Sequence, residues 1–335
     1  MHIKENIQFT VDFFSLGAYN NHNRTPHTSH ASDVPHGETF FYRGRGLPMQ
    51  IKVPTSYEEQ IRLIQGKGFL ISQQEEEACL RFLNRVNYYR LSAYFLPFRK
   101  QDGSYVLDVP FSRVQRIYEF DGQLRGLVFS IIEDIEVNVR ATLAYYVAHH
   151  YGPLGYLNSD MFSNKHQTKR FQEKIQSCIE ENARTLVVKH HKSQYDGQFP
   201  IWVIIEFFSV GMLSYFYRDL HTKDKKAVAA ELGTVPNLLE SWLRCLTDLR
   251  NKCAHYSRLY YWAFAAIPNM PKCSAVDADR TLFSQLLMLK YLYPVPEKWT
   301  AKLVVPLKAL MEEYQRDISL EHIGFPSNWE ALLDG

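Results

Sequence analysis

The stretch SRVQRIYEFDGQLRGLVFSIIEDIEVNVRATLAYYVAHHYG, residues 112–152, constrains the fold more than any other. Leu124, Val128, Ile131, Ile135, Val139, Thr142 and Tyr146 are separated by four, three, four, four, three and four positions. That spacing puts all seven on one face of an α-helix, so a single long helix with one buried stripe is predicted. Ser112 is the predicted N-cap and Gly152 the stop.

Other segments carry the same period. In TSYEEQIRLIQGKGFLI, Thr55 or Ser56 caps a helix that closes at Gly66 or Gly68. In SQQEEEACLRFLNRVNYYRLSAYFLPFRK, Ser72 with Glu75 three positions on predicts another capped helix. QDGSYVLDVPFS reads as a turn or short hairpin. NKHQTKRFQEKIQSCIEENARTLVVKHHKSQY predicts a helix with a basic flank of Lys165, Lys169, Arg170, Lys189 and Lys192. PIWVIIEFFSVGMLSYFYRDL predicts an apolar helix broken at Gly211, and TKDKKAVAAELG a short exposed one. A further helix starts at Pro236, a residue suited to a first turn, and two more close the chain. Strand signal is nearly absent, and no repeat or linker divides residues 55–330. Residues 51–335 are expected to form one all-α unit built on antiparallel helix packing. Residues 1–50 are polar, His-rich and turn-rich without an apolar period, and read as a disordered extension. His22, His27, His30 and His36 are too irregularly spaced to read as metal ligands, and Met49 is an alternative start.

Composition narrows the function. With 335 residues and a net charge of +2, the chain lacks the overall basic excess of a histone-like binder, so nucleic acid would have to meet a local patch. Its 21 Tyr and 21 Phe read mainly as core, with a few exposed rings free to stack on bases. Five scattered cysteines, none in a CxxC pair, argue against a disulfide framework or zinc site and fit a reducing cytoplasm. No apolar run is long enough to span a bilayer, and the N-terminus lacks the apolar core of a signal peptide.

Within the helix that starts at Pro236, LRNKCAHYSRLYYW joins polar groups to an apolar pattern. At 100° per residue, Trp242, Leu246, Leu249, Cys253, Tyr256 and Tyr260 fall within roughly 40° of one line, the predicted buried stripe. Asn251 lies opposite, with His255 one turn on, and Arg250 lies on the flank. Alone, these three read as either an ordinary solvated helix face or a site. If a site, they are its candidate catalytic residues, with Lys252, Arg258, Glu136 and Arg140 as candidate RNA-binding or supporting residues. Glu136 and Arg140 are spaced to form an i,i+4 ion pair; the competing roles are Arg140 touching RNA or Glu136 orienting Arg250. Glu133 shares their face. Glu206, amid apolar residues in VIIEFF, is expected to pair with an arginine.

Five blocks in order resemble the abortive-infection family (Abi-like, AbiD/AbiF type) of the HEPN superfamily, from about Thr55 to Trp329. They are TSYEEQIRLIQGKGFLI with FLNRVNYYRLSAYFLPFR, IEDIEVNVRATLAYYVAHHYG, PIWVIIEFFSVGMLSYFY, LRNKCAHYSRLY and HIGFPSNW. The family often has a second His after its signature His. This sequence has Tyr256, which the helical wheel assigns to the buried stripe. The resemblance implies a HEPN-like helical bundle with additional terminal helices. It also implies metal-independent endoribonuclease activity needing no cofactor, in phage defence or as a toxin, with Arg250, Asn251 and His255 as the signature. A regulatory small RNA is a further implied partner. The alternative from a different class is a protein that grips a structured small RNA without cutting it.

The residue types suit that chemistry. RNA carries its own nucleophile, the 2′-OH. Imidazole moves protons near neutral pH, and a guanidinium fork fits phosphate oxygens. Because one His cannot serve as acid and base together, a C2 homodimer pooling His255 and Arg250 from both chains is expected.

Overall fold

The computed structural model describes residues 53–334. The readings made for residues 1–50, including the four histidines and Met49, lie outside the described residues. The N-terminal part holds α1 (Tyr57–Gln65), β1 (Phe69–Leu70), α2 (Glu76–Arg85), α3 (Tyr88–Ser92), a 3₁₀ turn (Ala93–Phe98) and β2 (Val109–Pro110). Ser56 and Glu59 form a full capping box on α1. Ser72 and Glu75 do pair, but they close a turn and α2 begins only afterwards, so Ser72 is not its cap. The single helix predicted for that segment is broken: Val86 is extended, and Asn87 recaps the chain by accepting the Tyr89 N–H at 2.8 Å. The predicted hairpin has one antiparallel bridge, Arg99 to Tyr105, and its tail pairs in parallel with β1.

The long helix is α4 (Phe111–Tyr151), 41 residues and therefore about 60 Å long. Its cap position is Pro110 rather than Ser112, because the helix begins at Phe111, whose ring is buried. Gly152, at φ +80°, ends it. The stripe predicted from spacing is buried from Leu124 to Tyr146, with Thr142 half-covered.

The middle of the chain forms α5 (Thr168–Glu181), α6 (Leu186–Gln194), α7 (Ile201–Ile204), α8 (Val210–Asp219) and α9 (Thr222–Glu231). α5 and α6 are two helices rather than one, since Thr185 starts a new turn by accepting the Val188 N–H. The apolar helix breaks at Phe208 and Ser209, where Ser209 caps α8 by accepting the Met212 N–H. Gly211 lies inside α8 rather than at the break, and an added Cβ there would meet Thr247 only at ordinary van der Waals distance. α9 is not simply exposed: its Asp224 is buried and accepts the hydroxyls of Tyr146 (2.7 Å) and Tyr151 (2.8 Å) from α4. Helices α10 (Pro236–Ala254), α11 (Leu282–Leu292), α12 (Pro296–Trp299), α13 (Val305–Glu313) and α14 (Trp329–Asp334) complete the protein. α7 to α11 and α13 pack along α4, so the fold is all-α with one long helix as its axis. Among the described residues no helix is long and apolar enough to cross a membrane.

One carboxylate ties this axis to the segment after α10. Asp121 of α4 is 0% exposed. Its Oδ1 accepts the backbone N–H groups of Leu259 (2.9 Å) and Tyr260 (2.7 Å), and its Oδ2 accepts the Tyr94 hydroxyl (2.6 Å) and the Arg125 guanidinium. Burial, reinforced by the Asp121 charge, raises the Tyr94 phenol well above its ordinary pKa, so it stays a donor. Desolvation alone would lower Arg125, yet attraction to Asp121 and Tyr94 leaves its pKa raised. Further on, the Tyr260 hydroxyl accepts the Ser319 N–H at 2.9 Å and donates to His322 Nδ1 at 2.7 Å. Burial depresses the His322 pKa.

Asp121→Ala would strand a buried guanidinium and two backbone donors. We expect a loss of about 3–5 kcal/mol in denaturant unfolding and faster hydrogen exchange across residues 255–261. His322 sets a pH dependence. Its folded pKa lies below the unfolded value of 6.5, so the unfolded chain takes up the proton first as pH falls. Its contribution is complete above pH 6.5 and is lost progressively below it. Between pH 7.5 and 5.0 the wild-type denaturation midpoint should therefore drop more than that of His322→Asn.

Candidate functional site

α10 places the signature residues. Trp242, Leu246, Leu249 and Cys253 form its buried stripe, as their spacing requires. The helix ends at Ala254, and His255 is the C-cap. Tyr256 N–H donates to Cys253 O (3.1 Å) and Ser257 N–H to Lys252 O (2.8 Å), the two bonds of a Schellman motif. That motif needs a left-handed residue, and Tyr256 supplies it at φ +56°, where glycine is usual. The expected place of Tyr256 on the buried stripe is therefore overturned: it lies beyond the helix and is 69% exposed. The left-handed backbone costs a non-glycine residue roughly 1–2 kcal/mol. Tyr260 is buried as expected, but in the loop, where Asp121 holds its N–H. The Arg90 guanidinium donates to the Tyr256 carbonyl, and Tyr261 adopts the left-handed conformation too.

Asn251 and His255 are both exposed, one helical turn apart. Arg250 emerges on the flank facing α4. There Glu136 Oε2 lies 3.6 Å from Arg250 Nε, while Glu136 Oε1 lies 2.6 Å from Arg140 Nη2. The i,i+4 pair therefore forms, and Glu136 also lies within ion-pair distance of Arg250, whose buried Nε makes no hydrogen bond among the described residues. The pair is not exposed: the Glu136 and Arg140 side chains are each 12% accessible, against 32% for Arg250. Arg140 is committed further, donating to the carbonyls of Ile205 (3.3 Å) and Phe208 (2.8 Å) at the break before α8. Its fork holds the protein's own backbone, so it sits behind Arg250 rather than beside it at the surface. Two guanidinium groups and one carboxylate leave a single positive charge, displayed at the more open Arg250.

The remaining candidates spread out. Lys252 Nζ sits 3.7 Å above the Trp262 ring, a cation–π contact on the other flank. Arg258 donates to the Ala93 carbonyl, and burial lowers its pKa, which makes it a strut under the loop. Glu133 is exposed. Glu206 is exposed as well, and among the described residues it does not make the expected ion pair with an arginine; the neighbouring carbonyls, not its carboxylate, engage Arg140. On α5 and α6 the basic flank is exposed, with Glu173, Glu180 and Glu181 interspersed, and His191 is buried against Phe199. The structure therefore brings Glu136, Arg140 and Arg250 together beside α4, while Asn251 and His255 stand exposed further round the end of α10.

Sequence reasoning missed Asp121, Arg90 and Tyr94. Asp121 had a signal: it precedes Leu124 by three positions and Val128 by seven, so it falls in register with the buried stripe. A charge in that register must be satisfied internally. Arg90 and Tyr94 reach the site from distant sequence and carried no local signal.

An all-α protein with an Arg–Asn–His set at a helix end now has a family. The Abi-like protein family model matches residues 81–261, more than half of the chain, so the chain belongs to the Abi-like family. The match covers α4, α10 and the segment held by Asp121, and membership points to abortive infection and defence. No curated protein and no solved structure matches the chain.

Glu136→Gln would leave Arg140 and Arg250 facing each other without a counter-charge. We expect a stability loss on the order of 2 kcal/mol, below the roughly 3–5 of a fully buried pair because Arg250 reaches water. Chemical denaturation measures it, and Glu136→Asp should recover part of the loss.

Proposed function

We propose that this protein is a HEPN-type, metal-independent endoribonuclease that cuts RNA in abortive infection or as a toxin. The observation that carries the reading is the pairing at the end of α10. An exposed imidazole, His255, caps the helix that five residues earlier carries Arg250, whose guanidinium is partly open to solvent and within ion-pair distance of Glu136. Had these side chains been sealed in the core, no phosphodiester could reach them.

In this reading Arg250 binds the phosphate and stabilises the added negative charge of the phosphorane. His255 takes the proton of the 2′-OH, or returns one to the leaving 5′-oxygen. Asn251, one turn behind, holds the imidazole or a phosphate oxygen. One chain offers one such imidazole. A C2 dimer with the outer faces of two α10 helices across the axis supplies the second, and two positive charges for one phosphate. Residues 51–335 act as one unit in it. The five free cysteines support a reducing compartment such as the cytoplasm.

The test uses purified protein, end-labelled RNA and EDTA. Products with 2′,3′-cyclic phosphate ends are expected, together with dimer mass in sedimentation equilibrium. His255→Ala should abolish cleavage with an unchanged helical spectrum, and Arg250→Ala should lower the rate about 10²–10³-fold. Cleavage that survives His255→Ala refutes the assignment. A mobility shift without products favours the RNA-gripping alternative.

A further inference from the structure

We infer that Tyr256 is a base-stacking residue and that the site takes unpaired RNA. The inference deepens the reading of Arg250 and His255 as an RNA site and rests on it. Tyr256 follows the candidate imidazole directly, with consecutive Cα atoms about 3.8 Å apart. Its ring is 69% exposed and, among the described residues, packs face to face or edge-on with no other ring. The other left-handed tyrosine, Tyr261, instead rests edge-on against His322 at 5.0 Å.

The backbone beneath the ring is fixed from both sides. The Schellman bonds hold it to α10, Arg90 grips its carbonyl, and Asp121 clamps Leu259 and Tyr260 three and four residues on. A left-handed C′ position is one that glycine would fill without strain, yet it carries a large aromatic side chain projected into solvent. Strain kept where the surroundings over-determine the backbone marks positions of function. A ring with two side-chain torsions on such a platform binds a flat partner at small entropic cost.

The partner follows from the neighbours. A phosphate held by Arg250 and worked on by His255 has a nucleobase one sugar away on each side. An aromatic ring beside it stacks that base whatever its identity, because every base has a π-face. A base inside a duplex is already stacked on both faces, so the platform selects loops, bulges and single strands. Holding the base also fixes the sugar that carries the attacking 2′-OH.

The experiment measures 2-aminopurine fluorescence in a single-stranded RNA oligonucleotide titrated with His255→Ala protein, which keeps the RNA intact. Strong quenching is expected with Tyr256 or Tyr256→Phe, and none with Tyr256→Gly, which should also bind about tenfold more weakly. Tyr256→Gly suits the left-handed backbone and should melt close to the parent protein, so lost binding is not lost folding. The same oligonucleotide annealed to its complement should not quench. Equal quenching by Tyr256→Gly, full replacement by Tyr256→Leu, or preference for the duplex overturns the inference. If wild-type protein leaves RNA uncut while quenching depends on Tyr256, the nuclease reading falls and the stacking role stands. If RNA is cut and quenching ignores Tyr256, only the stacking role falls.

Discussion

A single buried carboxylate organises this protein. Asp121 sits on the axial helix with no access to water, and four donors from three parts of the chain converge on it. A buried charge of this kind is tolerable only when it is paired and hydrogen-bonded, and its partners are then strongly determined. Its ligands include two backbone N–H groups just beyond α10. The position of the chain leaving the signature helix is thus set by α4. Tyr94 and Arg125 satisfy the other oxygen, so the N-terminal 3₁₀ turn is drawn into the same cluster.

A second charge arrangement, one layer nearer the surface, links α4 to the guanidinium of α10 through a looser ion-pair contact. Arg140 is spent on the carbonyls at the break before α8 and on Glu136. Glu136 in turn reaches Arg250. The break at Phe208 and Ser209 exposes backbone acceptors that a continuous helix would have used internally. An irregular point in one helix therefore anchors Arg140, and Glu136 lies between that arginine and Arg250. At the end of α10, Asn251, His255 and Tyr256 stand exposed, and Arg250 is partly open over Glu136 and Arg140.

Much of this was legible in one dimension. The Leu124–Tyr146 stripe gave α4, because a helical period over so many residues has no other solution. The Trp242–Cys253 stripe turned Asn251 and His255 outward. Helix ends were less legible. Ser72 and Ser112 offered capping chemistry in the right place, but Ser72 closes a preceding turn and Ser112 lies inside α4. The failure at Tyr256 has a different cause. No glycine or proline marks the end of α10, so the period runs on to Tyr260 by extrapolation. In the folded protein Arg90 and Asp121 hold the segment in a left-handed turn that its own sequence does not favour.

The sequence by itself determined the all-α class, the axial helix and which face of α10 carries the imidazole, because helical periodicity is a local property that hydrophobic burial enforces. Only the tertiary structure decided where α10 stops, that Glu136 serves two arginines at once, and that Tyr256 stands in solvent. Each of these depends on groups brought together from far along the chain, where a charge or backbone donor must find its partner. No spacing rule within one helix encodes such a meeting.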